Sequence, residues 1–60
     1  MKRYKVMVAR GRISYPITVV AASYTESRKG NLLLRDERGR TISSFEAGTW
    51  KDVQEVGNIQ

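Results

Sequence analysis

Ile13-Ser14-Tyr15-Pro16-Ile17-Thr18-Val19-Val20-Ala21 alternates with the two-residue period of a β-strand. Ile13, Tyr15, Ile17, Val19 and Ala21 fall on one face, and Ser14, Pro16, Thr18 and Val20 on the other. Its β-branched and aromatic content suits a pleated, half-buried surface. Pro16 has no N–H to give to a ladder, so this strand belongs at a sheet edge or at a bulge.

Upstream, Tyr4-Lys5-Val6-Met7-Val8-Ala9 repeats the pattern, with Tyr4, Val6 and Val8 on one face and Lys5 and Met7 on the other. Arg10-Gly11-Arg12 between the two runs reads as a tight hairpin, because glycine accepts positive φ. Downstream, the polar stretch 22–31 ends in Arg28-Lys29-Gly30-Asn31 and is either a loop or the tail of a long strand that turns there. Leu32-Leu33-Leu34 reads as a central strand. Asp36-Glu37-Arg38-Gly39 is the strongest turn signal, with Asp at the first position of a type I turn and Gly at the left-handed one. In the returning strand, Ile42 and Phe45 are three apart, which predicts a bulge at Ser43-Ser44.

The C-terminal segment has two readings. Trp50, Val53 and Val56 recur every third residue, Thr49 and Asp52 have the spacing of a capping box, and Gly57 could close a helix. Such a helix would span only about two turns, too short to hold itself together in water. The favoured reading is a turn over Glu46 to Trp50 followed by a strand, with 57–60 as a frayed tail.

The expectation is therefore an all-β fold: a four- to five-stranded antiparallel meander curling into a small barrel, since closure removes exposed edges. A short helical turn near the C-terminus is the variant. In strand number and turn spacing, over most of the chain, the pattern resembles SH3-like small barrels. No motif carries that resemblance, and it implies no functional residue.

Sixty residues hold one domain, 1–60, and bury about 60% of the unfolded surface. Leu, Ile, Val and Phe account for only 14 of the 60 residues, so the core is thin. Chains of this size commonly recruit disulfides, a metal or a partner, but there is no Cys and no His. Good packing or oligomerisation remains. Lack of Cys fits a reducing compartment, the N-terminus has no apolar stretch of the signal-peptide kind, and no window approaches a membrane span; a cytoplasmic location is the expectation.

Without His or Cys, the usual catalytic triads, thiol chemistry and zinc sites cannot be assembled. Asp36 and Glu37 are adjacent in a turn, and Glu46, Asp52 and Glu55 sit in polar segments, so no carboxylate pair stands out. The glycines match neither a P-loop nor a dinucleotide fingerprint. The reading is a non-enzymatic binding module that uses no cofactor.

Charge is the informative feature. The net charge is +5, and the residues up to Thr25 hold Lys2, Arg3, Lys5, Arg10 and Arg12 with no acid, while six bases and six acids balance over the remainder. Arg3 and Lys5 share the face opposite Tyr4 and Val6, and Arg10 and Arg12 flank the turn, so these charges could line one side of a ribbon. The functional reading is nucleic-acid binding, with Lys2, Arg3, Lys5, Arg10 and Arg12 on phosphates and Tyr24, the aromatic expected to be exposed, stacking on a base. Equally physical is a role in solubility and edge protection. Tyr4, Tyr15 and Trp50 are assigned to the core. Val20, Leu33 and Met7 face away from the presumed interior, which supports the competing reading: a protein partner, or a homo-oligomer that doubles the basic ribbon.

Overall fold

The computed structural model describes residues 1–58. They form six strands: β1 (Lys2–Arg10), β2 (Ile13–Ala21), β3 (Ser23–Glu26), β4 (Leu32–Arg35), β5 (Thr41–Phe45) and β6 (Trp50–Asn58). All pairings are antiparallel, in two three-stranded sheets ordered β2-β1-β6 and β3-β4-β5. The architecture is all-β, but it corrects the expected barrel on two counts. There are six strands, and among the described residues no ladder closes one sheet onto the other. The extra strand is β3, an exposed polar edge within the stretch 22–31, whose sequence has no apolar alternation to announce it. It continues β2 after a single residue, Ala22, whose N–H already donates to Arg35 O across the second sheet.

The β1–β2 hairpin turns on Gly11-Arg12, with Arg10 opposite Ile13. Gly11 has φ +61°, so glycine sits at the first central position, as a II′ turn requires. β2 is an edge strand, which accommodates Pro16. The β4–β5 turn follows the sequence closely. Gly39 takes φ +83° and donates to Asp36 O, while Asp36 Oδ1 accepts from the N–H groups of Arg38 and Arg40.

Two three-residue spacings prove to be bulges. In β5, Leu34 opposes Ser43 and Arg35 opposes Thr41, so Ile42 is the extra residue; the bulge lies at Ile42 rather than at Ser43-Ser44. In β6, Val8 opposes Trp50 and Met7 opposes Asp52, so Lys51 is extra, and a second shift makes Val56 extra. The helix-like recurrence of Trp50, Val53 and Val56 is thus an interrupted strand, and the short helical turn is replaced by β6. Thr49 Oγ1 donates to Glu46 O at 2.6 Å instead of capping a helix. Gly57 and Asn58, read as frayed tail, pair with Arg3 and Lys2; the last two residues of that tail lie outside the described residues.

Among the described residues, the core is five buried side chains: Tyr4, Val6 and Ala21 from the first sheet, and Leu32 and Leu34 from the second. Val8, Ile17, Val19, Phe45, Trp50 and Val53 pack around them. Trp50 also ties the sheets by a hydrogen bond, Nε1 donating to Gly30 O at 2.9 Å.

Candidate nucleic-acid interface

Strand parity distributes the basic residues of the hairpin. Along β1, Lys2, Tyr4, Val6, Val8 and Arg10 share the inner parity, and Arg3, Lys5, Met7 and Ala9 the outer. Arg3 and Lys5 therefore stand together on the outer face, beside Val20 and Thr18 of β2 and Gly57 and Gln54 of β6. The acid of β6 on that face is Asp52, opposite Met7. Arg10 and Arg12 are both exposed at the tip. Lys2 takes the inner parity, and its Nζ lies 3.3 Å from Glu55 Oε1. The five cations thus do not line a single side. They divide into an outer-face pair, a tip pair, and Lys2 held by an acid. Among the described residues, Arg3, Lys5, Arg10 and Arg12 make no ion pair.

Arg3 and Arg10 are about 23 Å apart along the strand at roughly 3.3 Å per residue. This length suits an extended polyanion better than a compact ligand.

Among the aromatics, Tyr24 is exposed as expected and Tyr15 departs from expectation. Tyr24 is 46% exposed, yet it lies on the second sheet and packs edge-on against Tyr4 with ring centroids 5.4 Å apart, nearer the Lys2 end of β1 than the tip. Tyr15, assigned to the core, is 38% exposed. It points to the inner face where the second sheet no longer covers β2. With Val8, Ala9, Arg10 and Thr49 it lines a shallow concavity open to solvent. Parity placed Tyr15 on the apolar face; no residue pattern reported how far the covering sheet extends.

A second shallow hollow is lined by Met1, Asp36, Glu37 and Arg38. Among the described residues, no cluster of three or more Asp and Glu side chains is placed to hold a metal ion, and no helix is long and apolar enough to cross a membrane. Val20, named with Leu33 and Met7 as a second apolar surface, is exposed, whereas Leu33 and Met7 are half-buried. In comparison with known proteins, no family model, curated protein or solved structure matches the chain.

Proposed function

We propose that the β1–β2 hairpin binds nucleic acid through its phosphate backbone, as a binding module rather than an enzyme. One observation carries this reading: four cations, Arg3, Lys5, Arg10 and Arg12, are spread along one arm without an ion partner among the described residues. Bases placed for solubility alone need no such segregation, since mixed signs serve that purpose better. An arm of about 23 Å spans about seven base-pair steps of a duplex at 3.4 Å per step. Lys2 contributes less, being neutralised by Glu55. Tyr24, across the molecule from the tip and packed on Tyr4, is the weaker member of the residue set.

Fluorescence anisotropy with a labelled generic duplex and single strand, across a salt series, tests the proposal. Four phosphate contacts give a log–log salt slope of about −3.6 on duplex, each contributing about −0.9. Arg10→Glu combined with Arg12→Glu abolishes the binding and leaves the circular dichroism spectrum and melting temperature of the chain in place. A salt-insensitive complex, or unchanged affinity in the double variant, would overturn the reading.

A further inference from the structure

The two sheets present four edges, and three are blunted in the ways that keep β-proteins from pairing with one another. β6 carries Lys51, Asp52 and Glu55 and is interrupted by two register shifts. β5 has five residues and a bulge at Ile42. β3 has four residues and ends in Glu26. β2 differs: it runs nine residues in unbroken register with β1 and has no charged side chain from Ile13 to Ala21.

The polar groups on that edge follow from the hairpin. Arg10 and Ile13 close a two-residue turn, so they form a hydrogen-bonded pair, and alternate residues then bond inward. The N–H and C=O groups of Ser14, Thr18 and Val20, and the C=O of Pro16, point away from β1. The same alternation turns Ala9 N–H toward β6, where it donates to Thr49 O at 2.8 Å. At the far end the edge stops at Ala22, which bonds Arg35 O.

We infer that a second copy of this chain pairs with β2, antiparallel, about a two-fold axis at Ile17. This register uses the whole open stretch. Ser14 exchanges backbone bonds with Val20 of the second copy at both ends, and each Thr18 N–H donates to Pro16 C=O of the other chain. Centring on Pro16 instead would set two prolines face to face with no donor, so Pro16 fixes the register. The side chains fit the same arrangement. On the inner face, Ile13 meets Ala21 of the second copy and Tyr15 meets its Val19; on the outer face, Val20 meets Ser14. Ile13, Tyr15 and Val20 are 67%, 38% and 39% exposed in the single chain, and this one contact covers all three.

Charge favours a second copy in this orientation. The antiparallel pairing sends the two Arg10–Arg12 tips to opposite ends, about 35 Å apart, well beyond a screening length of about 8 Å. The contact is isologous, and only the blunted edges remain exposed, so assembly closes at two chains.

Sedimentation equilibrium of the intact chain, without nucleic acid and across a concentration series, tests the inference independently of the binding proposal. The wild type passes from monomer mass to twice that mass as concentration rises. Thr18→Pro removes only the outward N–H and leaves the ladder to β1 intact, so it raises the dimer dissociation constant about tenfold or more through two symmetry-related bonds. Thr18→Val keeps the N–H and dimerises as the wild type does. Should Thr18→Pro fail to fold, hydrogen exchange on the wild type decides: the Ser14, Thr18 and Val20 amides slow with concentration while outward amides of β6 do not. Monomer mass throughout, open-ended assembly, or protection gained on β6 in place of β2 would overturn it.

Discussion

The first sheet is built from three nine-residue strands and the second from strands of four or five, and that mismatch shapes the molecule. A nine-residue strand is about 30 Å long and strands of four or five residues about 13–17 Å, so the short sheet is only about half as long as the other. Beneath it lie Tyr4, Val6 and Ala21, packed on Leu32 and Leu34. Beyond it the hairpin runs out as an arm, which makes the molecule 35 Å long but 13 Å thick, with a radius of gyration of 11.3 Å. A compact chain of this length has about 10.4 Å. The covered half holds the fold, with Arg3 and Lys5 on its outer face, and the overhanging half presents the Arg10–Arg12 tip and the Ile13–Tyr15 end of the open edge.

The sharpest way to break that division is to remove equal chemistry from each half. Leu34→Ala empties a fully buried site and costs about 3 kcal/mol, against about 3–9 kcal/mol expected for the whole fold. Ile13→Ala removes a residue that is 67% exposed and costs at most about 0.5 kcal/mol in the monomer. Denaturant unfolding at low protein concentration compares the two. Similar losses would mean that the arm is as much a part of the core as the short sheet. At high concentration Ile13→Ala weakens dimerisation instead, since Ile13 lies in the proposed contact.

The arm was half legible in the sequence. Alternation gave the faces of both long strands, and Asp36 with Gly39 gave the turn, because each depends on residues close in the chain. Local chemistry also explains the misplaced features. A three-residue apolar spacing is compatible with a helix or with a strand carrying an extra residue, and at both Ile42–Phe45 and Trp50–Val53 it was the bulge. β3 carries no strand signature in the sequence because an exposed edge needs no apolar face. Its apolar face alone assigns Tyr15 to the core, while its cover depends on the length of β4, set elsewhere in the chain. Charge segregation is what singles out the basic set in the sequence. Its division into an outer pair, a tip pair and Lys2 needed the register that brings Glu55 beside Lys2.

A smaller effect tests how the two sheets are joined. Trp50 belongs to the long sheet, and its Nε1 donates to Gly30 O in the turn between β3 and β4. Trp50→Phe keeps an aromatic ring and loses the bond, leaving a half-buried carbonyl without its partner. The expected cost is about 1–2 kcal/mol, read as a lower denaturation midpoint with an unchanged slope. A change in slope would show that the sheets separate in a step before global unfolding, and the two halves would then be energetically distinct as well as geometrically so.

The smallest effect distinguishes the two neighbouring cations at the start of β1. Lys2 and Glu55 are about half exposed, so their 3.3 Å ion pair contributes a few tenths of a kcal/mol, screened by salt. Lys2→Met therefore leaves the melting temperature nearly unchanged. Its effect on nucleic-acid binding separates the two faces of the strand: replacing Arg3 with Met lowers the magnitude of the salt slope by about 0.9, as loss of one phosphate contact requires, whereas Lys2→Met lowers it by less. Equal changes would mean that phosphate displaces Glu55 from Lys2, and the polyanion would then wrap around the end of β1 from the outer face to the inner one.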